Sequence, residues 1–270
     1  MVDSERPLVS PSSGEILMAP GMVSQNSEPL IGSQKYVDLC FAHYSLLTYI
    51  YTLHDNYRKL HSYIEKADIL YRRFRSWSYN DSIHLSGFLV TYLEIFVALR
   101  LSIKSLFYGD TRPKYKIAPY FEEQDFIELY ENSKKNLPVI DDYFWVLRNE
   151  ISHGRLKPIL PRDFTLHGGG REKPEDFSGL YLPTYASDKL TEENKARFDE
   201  FEGKNSSFGN YKYVRLIDSV QIHYQAIIEF HDSILRILSD YSIMKFGRSL
   251  EMPFNGMAMI TKEENQASFF

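Results

Sequence analysis

From Lys35 to Tyr79 the chain contains neither glycine nor proline, and its apolar residues return with a helical period. They are Val37, Phe41, Tyr44, Leu47, Tyr51, Leu60, Ile64, Ala67 and Leu70. So long a stretch without a breaker predicts one very long helix, or two nearly collinear ones. Such a helix must bury a long apolar stripe, which commits the chain to helix-on-helix packing.

The remaining pattern agrees. Asn80-Asp81-Ser82 interrupts the period and supplies capping side chains for a second helix that runs to Tyr108. That helix is apolar on most sides (Phe88, Leu89, Leu93, Phe96, Val97, Leu99, Ile103), as expected at the centre of a bundle. A short helix is predicted from Glu122 to Lys135, after a basic connector over 109–119. Another has Pro138 in its first turn, Asp141 and Asp142 near its positive end and Gly154 at its finish. The last strong helix is predicted over Tyr213–Phe246. The expected class is all-α, an up-and-down helical bundle with a long irregular insertion before the last helix.

Composition divides the chain into three parts. Residues 1–33 are rich in Ser, Pro and Gly without periodicity and are expected to be disordered. Residues 34–250 are expected to form one helical-bundle domain, with residues 155–210 as its insertion and an amphipathic helix near Thr191–Glu202. Residues 251–270 are expected to be a loosely ordered tail. An insertion of that length is usually functional or disordered.

A net charge of -5 argues against a surface that coats nucleic acid, while leaving room for a local basic site. Cys40 is the only cysteine, which excludes an internal disulfide and fits a reducing, cytoplasmic setting. The start Met1-Val2-Asp3-Ser4-Glu5 lacks the form of a signal peptide. Glu94, Arg100 and Lys104 interrupt the most apolar stretch, and each would cost about 2.5–3.5 kcal/mol at a bilayer centre. No membrane partner is expected. His43, His54 and His61 share one face of the first helix but are too far apart along it for one metal ion, and no other set has ligand spacing. Neither a metal nor a cofactor is expected.

The chemistry-bearing feature is Leu147-Arg148-Asn149-Glu150-Ile151-Ser152-His153-Gly154. Arginine grips phosphate through two parallel hydrogen bonds, and an imidazole carries protons near neutral pH. This octapeptide resembles the signature of the HEPN superfamily: an arginine, a polar residue that is often asparagine, and a histidine a few positions on, on a helix of an α-bundle. The resemblance implies metal-independent cleavage of single-stranded RNA at a site built where two protomers meet, commonly in a bacterial toxin or antiviral effector. It assigns Arg148 to the scissile phosphate, His153 to proton transfer and Asn149 to orientation. Arg155 and Lys157, just past the motif, are candidate RNA-binding residues. An antitoxin or a defence-complex protein is a further implied partner.

Helix geometry bears on the same segment. At about 100° per residue, Ile140, Tyr143, Phe144, Leu147 and Ile151 form the core stripe, with Arg148 at its edge. Asn149 and His153 point away from that stripe, together with Trp145 and Val146. Exposed apolar side chains of this size predict a covering surface, most simply the same helix of a second copy in a homodimer.

Two other readings stay open. Arg148 pairs with Glu150, Asp141 or Asp142 while His153 complements the negative helix end, and the chain is a non-catalytic interaction module that binds a protein partner. Glu94, the one acid deep in the apolar second helix, needs a cation, either Arg100, Lys104 or one on another helix. Arg148 is among the candidates.

Overall fold

The computed structural model describes residues 31–109, 119–153, 159–162, 178–182, 184–206 and 214–250. It is an all-α helical bundle. The expectations placed on residues 1–30 and 251–270, on Gly154, Arg155 and Lys157, and on most of the insertion's glycine-rich part lie outside the described residues.

Most of the breaker-free stretch is one helix, α1 (Ile31–Phe74), which begins four residues before Lys35, takes in Gly32, stops five residues short of Tyr79, and spans roughly 66 Å at 1.5 Å per residue. Arg75, with φ 52°, turns the chain out of it. The next helix, α2 (Tyr79–Tyr108), starts two residues earlier than the Asn80-Asp81-Ser82 reading. Its cap is Ser78, whose hydroxyl accepts from the Asp81 N–H at 3.2 Å while the Asp81 carboxylate accepts from the Ser78 N–H at 2.7 Å. This reciprocal pair satisfies two of the orphan donors at a helix start. Gly109, at φ 67°, ends α2.

Helix α3 (Gln124–Lys135) follows, then α4 (Val139–Ser152), which carries the motif. Within the insertion lie a two-residue antiparallel pair, β1 (Pro161–Arg162) with β2 (Gly179–Leu180), a 3-10 helix (Thr184–Lys189) and α5 (Glu192–Asn205). Thr191 caps α5 by accepting from the Asn194 N–H. The chain closes with α6 (Leu216–Phe246), ended by Gly247 in the left-handed region at φ 68°, where lack of a Cβ removes the steric penalty.

Helix α2 is long and apolar enough to cross a membrane by length and composition. Here it lies against α1 and α4, and Leu85, Leu89, Tyr92, Leu93, Phe96, Leu99 and Ile103 are fully buried. Each such side chain contributes about 1.5–3 kcal/mol of burial. Helix α6 packs on α1 and α3, and the α3–α6 end is filled by stacked and edge-on rings of Phe107, Phe121, Phe126, Tyr130 and Tyr241. The histidine stripe of α1 meets α6, where His54 Nδ1 lies 2.5 Å from the Tyr224 hydroxyl and Tyr57 stacks on Tyr224.

The core also holds polar groups. Tyr92 and His223 Nδ1 are hydrogen-bonded at 2.7 Å, and His223 Nε2 lies 3.5 Å from Asp141 Oδ1. The other Asp141 oxygen accepts from Arg100 at 3.0 Å. Burial pushes the His223 imidazole below its ordinary range against the pull of the Asp141 carboxylate. The four groups tie α2, α4 and α6 together, and Asp141 serves here as a buried anchor of α4 as well as an acid in its first turn.

Candidate functional site

Helix α4 is where the sequence places the motif, and its start is set by Pro138, which lacks the N–H that a first-turn residue would leave unpaired. Ile140, Tyr143, Phe144 and Leu147 are buried, as the wheel requires, and so is Val139, while Ile151 in the last turn is only half-buried. Tyr143 stacks flat on Phe198 of α5, with ring centres 4.7 Å apart, which fixes α4 against the insertion.

Arg148 leaves the edge of this stripe and reaches α2. Its Nη2 donates to Glu94 Oε2 at 2.8 Å and its Nε to the same oxygen at 3.2 Å. A third donor, Nη1, reaches the Asn149 carboxamide oxygen at 3.3 Å. Ser152 donates to the other Glu94 oxygen, also at 3.3 Å. Glu94 is therefore not deep in the apolar core: its side chain keeps 43% exposure, because α2 turns that face toward α4's solvent edge. Nor does it take Arg100, which belongs to Asp141. The local partners weighed for Arg148 (Glu150, Asp141 and Asp142) lose to a residue 54 positions away.

His153 is the C-cap of α4. Its backbone N–H donates to the Asn149 carbonyl at 3.1 Å, and its side chain is exposed. Arg148, Asn149 and His153 thus share the last turn and a half of one helix, with Arg148 held sideways to α2 and His153 projecting past the end. Arg155 and Lys157 lie outside the described residues.

A shallow cavity of about 390 Å³ lies beside this turn, lined by Val146, Asn149, Glu150 and His153 of α4 and by Lys189 of the 3-10 helix. Lys189 was not singled out from the sequence. In the sequence it is one lysine beside Asp188 with no motif around it, and only its approach to α4 in three dimensions marks it. Among the described residues no three of His, Cys, Asp or Glu are grouped so as to hold a metal ion.

The apolar argument for a second copy changes in detail. Trp145 is half-buried and meets Phe96 of its own α2 edge-on, and Val146 packs against the same core. The 3-10 helix and α5 both lie against α4. Part of the cover that the wheel demanded is therefore supplied by the chain's own insertion, and the polar end of α4, at Asn149 and His153, is what remains open. Comparison with family models, curated proteins and solved structures finds no match to this chain.

Proposed function

We propose that this chain is a metal-independent endoribonuclease of HEPN type that cleaves single-stranded RNA as a homodimer, in the manner of bacterial toxins and antiviral effectors. The observation that carries the reading is the arrangement of one helix end: Arg148, held by Glu94 and Asn149, lies five residues before an exposed His153, which with Asn149 lines an open cavity. Glu94 and Asn149 engage all three guanidinium nitrogens and fix the plane, so that the remaining Nη hydrogens are the donors left for an oxyanion, and donors fixed in this way act without reorganising during reaction.

In this mechanism one His153 takes the proton of the ribose 2′-hydroxyl, and the 2′-oxygen attacks phosphorus. The 5′-oxygen departs with a proton from the His153 of a second copy. The products are a 2′,3′-cyclic phosphate and a 5′-hydroxyl. Arg148 stabilises the charge that gathers on the phosphoryl oxygens, and Asn149 orients it. Proton transfer of this kind contributes about 10²–10⁴-fold.

One observation favours a second reading, the non-catalytic module bound to a protein such as an antitoxin. Arg148 is already engaged by Glu94, as a structural arginine would be. The two readings part on one experiment. Purified protein is incubated with single-stranded RNA in EDTA, and the product ends are identified. The nuclease reading expects 2′,3′-cyclic phosphate ends from the wild type and none from His153→Ala; cleavage that survives this substitution rules it out.

A further inference from the structure

The cavity beside α4 is lined by a cation, Lys189, that meets no carboxylate among the described residues. Lys189 is the last residue of the 3-10 helix Thr184–Lys189. Directly after it, Leu190 is buried and its N–H donates to the Ser187 carbonyl at 3.2 Å, and Thr191 caps α5. The chain is pinned on both sides of the lysine, while its side chain is exposed and meets no carboxylate among the described residues. Arg148 is the opposite case, with Nε and Nη2 given to Glu94 and Nη1 to Asn149.

A phosphodiester entering beside His153 needs a positive group not already neutralised. An ammonium presents a mobile point charge with three donors, suited to a phosphate whose position the cavity wall sets. Glu150 lies on the same wall and opposes a run of phosphates, so the arrangement suits one diester at a time. A volume of about 390 Å³ lies within the range of roughly 300–1,000 Å³ typical of small-ligand sites.

We infer that Lys189, delivered by the insertion, is the residue that fixes the RNA phosphodiester in the motif cavity next to His153. The inference rests on the ribonuclease reading for the identity of its ligand. It gives the 3-10 helix and α5 a role: they set a substrate contact against α4, and the rigid Tyr143–Phe198 stack holds the two walls in register.

The test uses the full chain and a short, fluorescein-labelled single-stranded oligonucleotide with 2′-O-methyl sugars, which cannot be cut. Anisotropy titrations are run across a range of salt concentrations for wild type, Lys189→Ala and Lys189→Arg. The expected result is weaker binding of every sequence by Lys189→Ala, and a slope of log K against log salt reduced by about 0.7 to 1. Lys189→Arg restores the slope, which a merely structural role for the side chain would not require.

An unchanged slope in Lys189→Ala overturns the inference. Cleavage of ordinary RNA by the wild type, measured in parallel, separates the two claims. Cutting with an unchanged slope removes Lys189 and keeps the nuclease. A reduced slope without any cutting keeps Lys189 as a phosphate contact and removes the nuclease. No binding by the wild type overturns the Lys189 inference, and the parallel cleavage assay then decides the nuclease reading by itself.

Discussion

Arg148 and Glu94 meet across the contact between α4 and α2, the guanidinium giving two donors to one carboxylate oxygen at 2.8 and 3.2 Å. The pair is partly exposed, 29% for the arginine and 43% for the glutamate, so its worth to stability is about 0–1 kcal/mol. Its value lies in direction: it holds the guanidinium plane where helix α4 alone would leave a flexible side chain.

Glu94→Ala should therefore separate activity from stability. We expect RNA cleavage to fall by about 10- to 100-fold, since small misplacements of a catalytic group carry such penalties. The urea-unfolding free energy should change by less than about 1 kcal/mol. Full activity in Glu94→Ala would show that the pair orients nothing of consequence.

Composite activity is a second prediction. Arg148→Ala and His153→Ala should each be inactive, with losses of about 10²–10³-fold and 10²–10⁴-fold. Because the mechanism uses the His153 of both protomers at one centre, refolding wild type with an excess of His153→Ala should silence the mixed dimers, so that cleavage falls well below the wild-type fraction. Cleavage that simply follows the wild-type fraction would show that each protomer works by itself.

The buried chain from Tyr92 through His223 and Asp141 to Arg100 predicts a stability phenotype far from the motif. Asp141→Ala removes the anion opposite Arg100, whose side chain is only 11% exposed. Breaking one half of a buried ion pair costs about 3–5 kcal/mol. Thermal melting should show a drop far beyond that of Glu94→Ala, and equal melts for the two variants would contradict the reading of Asp141 as an anchor.

Stability should fall as solution pH drops below about 6.5. Burial lowers the affinities of His43, His223 and His231 for protons in the folded chain, whereas the unfolded chain takes up protons from about 6.5 downward. The unfolded state then binds more protons, and stability declines with falling pH until the folded-state values are reached. Asp142 and Asp218, raised by burial, act in the opposite sense but at lower, carboxylate pH. Urea melts between about pH 7 and 5 should show the decline, and His223→Gln should flatten it in part. A slope identical to wild type in that variant would exclude His223 as a contributor.

The insertion is held by a tight spot between Asp68 and Gly179. Asp68 is buried, accepts from the Leu180 N–H at 2.9 Å, and lies 3.2 and 3.4 Å from Arg72 and Arg215. A Cβ on Gly179 would come within 2.2 Å of the Asp68 carboxylate, and its φ of +153° is a conformation other residues avoid. Gly179→Ala should destabilise by about 1–3 kcal/mol and loosen β2. Limited proteolysis should then cut the insertion faster than in the wild type, with the bundle helices protected in both.

Much of the helical plan was legible from periodicity. The presence of one very long first helix, of a helix beginning near Thr191 and of the core stripe of α4 follows from residue spacing, because helix formation is a local event. The start of α2 was misread by two residues because three capping residues in a row, Asn80, Asp81 and Ser82, hid Ser78, and only the reciprocal bonds with Asp81 mark the true cap.

By itself, the sequence determined the all-α class and the position of Arg148, Asn149 and His153 at the end of one helix. Tertiary structure alone decided that Arg148 turns to Glu94, that Arg100 goes instead to Asp141, and that Lys189 stands beside His153. The reason is range. A helical period needs only neighbours within a turn or two, whereas an ion-pair partner is set by how two helices lie against each other, and spacing along the chain carries no record of that.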